Sequence, residues 1–394
     1  MRWRSGVWAP IAFLVVTAPA VPVVPHGVHA AGEPQAGQAK PAEKPKKTPA
    51  EKLDAPWPDA GTIEKRRKEA EALPLFQTQD PLAITIAAAF GPVMADRDTS
   101  STKTFPASLT VAGGEGSSVT IPVTLRTRGQ LRLSSTVCTF PPLGVSFTKK
   151  EVKATPFDGQ RELDMVTHCQ DDDDYDQNVL KEYLAYRLYN LITPRSFRVR
   201  LAQATYVDAR SGRKLASRHA IFIEDEDDLA RRLEGRALEF PRTAFNNYDG
   251  EALTTMAVFQ YMIGNTDYSI WGLHNVKQVQ TRSRPLYPII WDFDVSGLVS
   301  PPYGAPDPRL GLASLRARLY RGPCRSLEAF EPTFAAFRAK EAESMALVRS
   351  LPGLRPFQRR LTEQFLTRFY DTLRSKEAMK KEFVDHCNTK ANTI

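Results

Sequence analysis

Residues 264–297 read GNTDYSIWGLHNVKQVQTRSRPLYPIIWDFDVSG. Before this stretch, residues 253–262 carry apolar side chains at helical spacing, and Gly264 is a typical signal for the end of a helix. Near its end, residues 287–291 form a short apolar run rich in β-branched and aromatic side chains. Such a run predicts a buried strand that ends at Asp292. The pattern therefore predicts polar residues on loops that are held between two rigid elements.

The polar side chains of this stretch are rich in oxygen donors. Asp267 and Asn275 follow the helix together with His274, whereas Asp292 and Asp294 follow the strand. Carboxylate and amide oxygens suit a hard cation such as Mg²⁺ and the phosphates that it binds. Taken singly, each residue is more typical of a structural role in a turn or at a strand end. Their order, however, is that of phosphoryl-transfer sites of the kinase type.

The motifs GNTD, HN and WDFDVSG resemble the catalytic segment of the spore-coat CotH family, which has a divergent protein-kinase-like fold. The resemblance implies that Asp267 is the catalytic base, that Asn275 and Asp292 bind the metal ion, and that Asp294 is a further ligand. A kinase catalytic loop places its Asn five residues after the Asp. Here the separation is eight residues, so residues 268–272 must bulge outward for the two side chains to converge.

The resemblance also extends upstream, through the order of strands and helices. It places the strand around Leu163 where a kinase carries the lysine that orients ATP. This sequence has no lysine in that strand, so Arg161, Lys149 or Arg128 would have to supply the cation.

Two glutamates complete the expected nucleotide site. Glu182, on a helix predicted over residues 178–191, would pair with the cation; a surface position is the alternative. Glu224, after a strand predicted over residues 219–223, would line the nucleotide pocket; the alternative is an acid that ends a strand.

The N-terminal region predicts export. Arg2 and Arg4 precede an apolar span over residues 7–24, and the sequence VHA ends at Ala30. This arrangement is typical of a secretory signal cleaved near Ala30, with an uncleaved anchor as the alternative. No second apolar run approaches the ~18 residues that a membrane-spanning helix needs. We therefore expect a secreted protein, periplasmic or extracellular, with no transmembrane segment.

Residues 31–72 are rich in Ala, Pro, Lys and Glu and poor in large apolar side chains. This composition predicts a disordered tether, in which residues 62–72 could form a short solvated helix.

The cysteines and the net charge give further predictions, about disulfides and about binding partners. Cys138 and Cys169 lie in the β-rich half of the sequence and Cys324 and Cys387 in the helical half, so disulfides within each half are expected; four buried thiols are the alternative. The formal charge of +8 comes from scattered basic residues without a nucleic-acid motif. We expect a solvated basic surface and no nucleic acid, with an anionic partner as the alternative.

These observations predict an α+β protein with a two-lobed, protein-kinase-like fold. Residues 73–225 would form the β-rich lobe and residues 226–394 the helical lobe that carries the site. The expected activity is transfer of a phosphoryl group from ATP, with Mg²⁺ or Mn²⁺, to a hydroxyl group of an unknown substrate. The alternatives are a catalytically inactive, kinase-shaped protein that binds an envelope partner, and a nucleotidyl transferase or phosphoesterase.

Overall fold

Alternating apolar residues in the first half of the chain form a closed β-barrel. In this computed structural model, which describes residues 48–112, 117–283 and 285–387, the barrel strands run in the order β1-β2-β3-β4-β5-β7-β6. The strands are β1 (Leu82–Ala88), β2 (Phe105–Ala112), β3 (Ser118–Thr127), β4 (Leu143–Phe147), β5 (Glu162–Val166), β6 (Val199–Asp208) and β7 (Lys214–Ile223). Parallel pairing of β1 with β6 closes the barrel, while the other neighbours pair antiparallel.

The alternation along the strands fills the barrel interior. In β3, for example, Ile121, Val123 and Leu125 are buried while their neighbours are more exposed. Side chains that alternate between two faces produce this pattern wherever only one face of a sheet is buried. Residues 113–116, which join β2 to β3, lie outside the described residues, and the two strands pair antiparallel.

Helices cover the rest of the described chain, together with a small second sheet. Its strands are β8 (Gly235–Leu238), β9 (Val276–Thr281) and β10 (Leu286–Ile290), in the order β10-β9-β8. The helices are α1 (Pro49–Asp54), α2 (Ala60–Glu71), α3 (Phe90–Ala95), α4 (Asp173–Ile192), α5 (Glu226–Arg232), α6 (Gly250–Ile263), α7 (Leu327–Ala339), α8 (Glu341–Ser350), α9 (Pro356–Arg374) and α10 (Lys376–Met379).

Helix α6 is the central helix of the hydrophobic core that lies outside the barrel. It is buried on almost every side, as expected of a helix that is apolar all round. It ends at Gly264, whose left-handed backbone (φ 62°) forms the predicted C-cap. The Gly297 N–H donates to the Gly264 carbonyl oxygen at 3.0 Å, so the two ends of residues 264–297 lie next to each other.

The predicted two-lobed, protein-kinase-like fold is wrong. The strands of the first half do not form an open β-rich lobe, because β1 and β6 pair and close them into a barrel. The second sheet belongs to the other half of the chain, among the helices. Closure depends on which strands become neighbours, and the local sequence pattern carries no information on that pairing.

The segment before the barrel is more ordered than its composition predicted. Residues 31–47 lie outside the described residues, but α1 and α2 occupy much of the remaining predicted tether. Arg198, the residue before β6, donates to the backbone oxygens of Ala70 and Glu71 at the end of α2. Arg236 donates to the backbone oxygens of Lys52, in α1, and of Ala55, just after it. These helices are thus held by distant arginines rather than by an apolar face.

Both disulfides expected within the two halves are present. Cys138 is bonded to Cys169, and Cys324 is bonded to Cys387. Over the described ranges, no helix is long and apolar enough to span a membrane. The predicted signal peptide, residues 1–30, lies outside these ranges.

A buried histidine makes the stability of the barrel pH-dependent. His168 packs against Phe140 and Tyr206, with ring centroids 4.7 and 5.4 Å away, and its Nδ1 has no partner among the described residues. Burial lowers the pKa of His168 from 6.5 to about 4. His168 therefore takes up a proton at higher pH in the unfolded chain than in the folded protein. The contribution of its neutral imidazole to folding stability is complete above pH 6.5 and is lost as the pH falls to about 4.

Between pH 7 and pH 4, we therefore expect the free energy of unfolding to fall by about 3 kcal/mol less in His168→Phe than in wild type. The measurement is the free energy of urea unfolding of wild type and variant between pH 7 and pH 4. Exposed His386, changed to Gln, serves as the control and should follow wild type. Parallel pH profiles of wild type and His168→Phe would contradict the prediction.

Candidate functional site

A cleft of about 700 Å³ lies between the barrel and the loops of residues 264–297. The barrel side contributes the charged side chains of Arg126, Arg128, Arg132 and Asp164. Helix α4 contributes Glu182 and Tyr186, one helical turn apart. The opposite side is formed by Asp267, Leu273, His274, Asn275, Trp291, Asp292 and Asp294. The structure therefore brings five of the predicted site residues into one cleft: Asp267, Glu182, Asn275, Asp292 and Asp294.

The loop after α6 folds so that Asp267 and Asn275 meet. The backbone groups of Ser269 and His274 exchange two hydrogen bonds, of 2.9 and 3.0 Å, and the residues between them bulge outward. The Asn275 Nδ2 group donates to the backbone oxygen of Asp267 at 2.8 Å and to its Oδ2 at 3.2 Å. The expected bulge is thus present, and the separation of eight residues does not keep the two side chains apart.

Asp267 has a second partner in His274. The imidazole Nε2 lies 2.9 Å from Asp267 Oδ1. This hydrogen bond raises the pKa of His274. Burial lowers that pKa, but the charges of Asp267 and Asp292 raise it further, and the net shift is upward. A histidine that carries a proton more readily here orients the Asp267 carboxylate and balances its charge.

Three residues of the cleft have left-handed backbones although none is glycine. Their φ angles are 53° at Leu273, 54° at Asn275 and 58° at Asp292. Such conformations cost free energy and persist only where the surroundings impose them. At Asp292, the backbone N–H donates to the hydroxyl oxygen of buried Tyr186 at 2.8 Å. The backbone is therefore held in place where the candidate ligands project.

The floor of the cleft is a buried charge cluster around Arg132. The Arg132 Nη1 atom lies 3.5 Å from Glu182 Oε2 and 3.9 Å from Asp294 Oδ2. Tyr303 donates its hydroxyl proton to Asp294 at 3.0 Å. Glu182 Oε1 and Arg132 Nε are buried without a partner among the described residues. The cluster thus retains unused hydrogen-bonding capacity.

Burial and crowding of like charges shift the titration of these acids. Burial raises the pKa of Glu182 to about 8, with Asp292 adding to the shift and Arg132 opposing it. Burial, and then the charge of Asp292, raise the pKa of Asp294 well above its usual range. Burial opposes the charge of Arg132, but the acidic groups around it outweigh that effect and raise its pKa. The floor therefore attracts protons or other cations.

The rim on the barrel side carries two further arginines. Arg128 Nε lies 2.8 Å from Asp164, and its guanidinium lies 5.3 Å from the centre of the Trp291 ring. Arg126 Nε donates to Glu162 at 2.7 Å. The carboxylates restrain both guanidinium groups, and each retains N–H donors for another anion.

Two predicted site residues lie outside the cleft. Arg161 is exposed just before β5, so it cannot supply the cation at this site. Glu224 is buried after β7 and accepts hydrogen bonds from Arg198 and Arg232, at 2.8 to 3.1 Å. It therefore links the residue before β6 to α5, and it does not line this cleft.

Arg132 is the main residue that the sequence analysis missed. It lies in a short 3-10 turn, Leu131–Leu133, and donates to the backbone oxygen of Thr167. The neighbouring disulfide Cys138–Cys169 joins the two chain segments that meet at this contact. The Arg-Gly turn at residues 128–129 was the nearest signal in the sequence, but nothing local indicates that Arg132 faces Glu182.

No family model matches the chain, and a search of curated proteins finds no match.

Proposed function

We propose that the cleft binds a nucleoside triphosphate with Mg²⁺ and transfers its terminal phosphoryl group to a hydroxyl. The observation that carries this proposal is the convergence of Asp267, Asn275 and Asp292 in one cleft whose other wall carries three arginines. This is the activity that the CotH-like motifs imply, and here it depends on the chemistry of the cleft and not on a kinase-like fold. Positioning and charge stabilisation supply most of the catalysis in this class of reaction.

The charge balance of the cleft favours a nucleotide that arrives with a metal ion. Three arginines line it, against five carboxyl groups: Asp164, Glu182, Asp267, Asp292 and Asp294. A bare triphosphate would meet repulsion from Asp164, Asp267 and Asp292, whereas a divalent cation attracts carboxylates and phosphates alike and can replace the protons that the raised pKa values leave on Glu182 and Asp294. We therefore expect nucleotide binding to depend on Mg²⁺ or Mn²⁺.

The donor set fits a magnesium ion that shares its ligands with a substrate. In the described part of the chain, no three Asp, Glu, His or Cys side chains lie close enough together to hold a metal ion by themselves. Mg²⁺ commonly takes only one or two carboxylates and completes its shell with water and phosphate oxygens. Asp292 and the amide oxygen of Asn275 would hold it, with Asp294 behind them. Bound there, the ion neutralises charge on the phosphate oxygens.

The chain's own residues would then act on the acceptor. Asp267 accepts the proton of the acceptor's hydroxyl group while the hydroxyl oxygen bonds to the terminal phosphorus. The bond from that phosphorus to the bridging oxygen breaks, and the nucleoside diphosphate leaves with the electron pair. His274 and Asn275 hold the Asp267 carboxylate in position, and Arg128 and Arg132 contribute positive charge beside the phosphates.

The test is thermal unfolding of the full chain with and without ATP and Mg²⁺. Ligand at 100 times its dissociation constant should stabilise the native protein by about 2.7 kcal/mol. We expect Asp292→Ala to lose this stabilisation. Asp208→Asn, at the last residue of β6 where the turn to β7 begins, is the control and should keep it.

Four results would count against the proposal. An equal shift without a divalent cation, or an unchanged shift in Asp292→Ala, would separate nucleotide binding from the candidate ligands. Label transferred from the α-phosphate instead of the γ-phosphate would replace phosphoryl transfer with nucleotidyl transfer. Metal-dependent binding without transfer of either label would leave a binding protein.

A further inference from the structure

The loop that carries Asp267 is held by a buried arginine, Arg321. Its Nη1 group donates to the backbone oxygens of Thr266 and Tyr268, at 2.6 and 2.7 Å. These two residues are the neighbours of Asp267 in the chain. A single guanidinium nitrogen therefore fixes one peptide group before the proposed base and one after it.

Two further contacts hold the same loop. The guanidinium carbon of Arg321 lies 4.9 Å from the centre of the Tyr268 ring, within the range in which a cation is attracted to an aromatic face. The Asp267 N–H donates to Asn265 Oδ1 at 2.9 Å. Because Arg321, Tyr268 and Asn265 are all buried, water has little access to compete for these contacts.

The segment that carries Arg321 is itself fixed. Gly322 packs so closely against α6 that a Cβ atom added to it would clash with the Cβ of Ala257. Two residues further along, Cys324 is bonded to Cys387. The guanidinium thus projects from a backbone that is held on the far side, so it can hold the Asp267 loop in place.

The positive charge of Arg321 has a role besides its hydrogen bonds. A neutral amide could donate to two backbone oxygens as well, and it would cost less free energy to bury than a guanidinium. Burial lowers the pKa of Arg321, and the charges of Asp307 and Asp267 are among those that oppose this shift. Asp307 already pairs with Arg309, whose Nε lies 3.0 Å from its Oδ1. Asp267 is therefore one of the acids whose charge Arg321 balances.

The proposed reaction is sensitive to the position of its base. Proton transfer requires Asp267 to lie within hydrogen-bonding distance of the acceptor's hydroxyl, and a misplacement of about 1 Å can lower a rate by ~10²-fold. His274 and Asn275 contact the Asp267 carboxylate, but both belong to the same loop. Arg321 connects that loop to a distant part of the chain.

We infer that Arg321 is a positioning residue for phosphoryl transfer, which holds the backbone on both sides of Asp267 and keeps a positive charge near its carboxylate. It acts through Asp267 and not on the nucleotide or the acceptor. This inference rests on the proposed function, and it adds a residue distant in sequence to the site.

The test compares the steady-state kinetics of wild type, Arg321→Met and Arg321→Lys. ADP formed from Mg²⁺-ATP is measured with water alone and with a degenerate mixture of Ser, Thr and Tyr peptides as acceptors. Arg321→Met should lower kcat by about 10²-fold and change the KM for ATP by less than about 3-fold, because the proposed metal ligands are other residues. Arg321→Lys keeps the charge and N–H donors, so it should recover at least ~10-fold of the lost rate.

Arg318→Met is the matched control. Arg318 also donates to backbone oxygens, those of Tyr261, Met262 and Phe365, but none of these residues adjoins Asp267 in the chain. The control reports what the loss of such an arginine does to stability alone. At a temperature where every variant is folded, its kcat should stay within about 3-fold of wild type.

Amide hydrogen exchange tests the anchoring of the loop without any turnover. The Asp267 N–H should exchange faster in Arg321→Met than in wild type or Arg318→Met, because its hydrogen bond to Asn265 opens more often when the loop is released. Equal exchange in all three proteins would show that Arg321 does not hold the loop.

Three kinetic results would overturn the inference: a wild-type kcat in Arg321→Met, an equal fall of kcat in Arg318→Met, or no faster turnover in Arg321→Lys than in Arg321→Met. Thermal stabilisation of wild type by Mg²⁺-ATP is measured alongside. Its absence would refute the proposed function and the catalytic role of Arg321 with it. Stabilisation and turnover in wild type, with an unchanged rate in Arg321→Met, would refute only the role of Arg321.

Discussion

Asp267→Asn is expected to lower the rate of phosphoryl transfer by about 10²–10⁴-fold, the usual contribution of a general base. The variant keeps the size of the side chain and an oxygen for His274, but its amide cannot accept the hydroxyl proton. Because the proposed metal ligands are Asn275 and Asp292, stabilisation by Mg²⁺-ATP should remain close to that of wild type. The rate is measured as ADP formed with a degenerate mixture of Ser, Thr and Tyr peptides.

The matched control for this variant is Asp208→Asn, which makes the same chemical change in a turn outside the cleft. Its rate should equal that of wild type. If Asp267→Asn turned over ATP at the wild-type rate, Asp267 would not be the base. If it lost nucleotide binding as well, Asp267 would instead belong to the metal site.

Glu224→Gln is expected to destabilise the fold by about 3 kcal/mol, because removal of one partner from a buried ion pair leaves the other charge uncompensated. Glu224 accepts from Arg198 and Arg232, and the side chains of these arginines are only 18% and 10% exposed. Arg198 also holds the end of α2. The measurement is the free energy of unfolding in urea.

A surface ion pair provides the control. Glu363→Gln removes a partner of Arg349, whose side chain is 68% exposed, and should cost less than about 1 kcal/mol. The folded Glu224→Gln protein should still be stabilised by Mg²⁺-ATP. If Glu224→Gln were as stable as wild type but no longer bound nucleotide, the result would support a role for Glu224 in the nucleotide site.

The local features of the site could be predicted from sequence because they depend on short-range patterns. The apolar periodicity before Gly264 and the β-branched run before Asp292 define the helix and the strand that carry the polar loops. The order of Asp267, Asn275 and Asp292 then suggested that they meet. The structure does bring them to one cleft, whereas the chemistry assigned to them stays a prediction.

The features that could not be predicted are long-range. Arg132 faces Glu182 across the gap between the barrel and α4, and no local pattern marks that approach. Glu224 was assigned to a pocket because the resemblance places a strand that lines the nucleotide there, whereas in the structure it pairs with Arg198 and Arg232. Helix α2 has few buried residues, and its anchoring by Arg198 cannot be read from its composition.

The parallel pairing of β1 with β6 determines when the barrel can be completed during synthesis. β1 is among the first strands to be made, but its partner β6 follows α4 in the chain, and β7 must also be present to join β5 to β6. Until residue 223 has been made, unpaired strand edges are exposed, which slows folding and favours aggregation. The disulfide Cys138–Cys169 connects residues that are made before β6, so it can form while the barrel is open. The barrel wall of the cleft is therefore a late product of folding, and nucleotide can stabilise only the last steps.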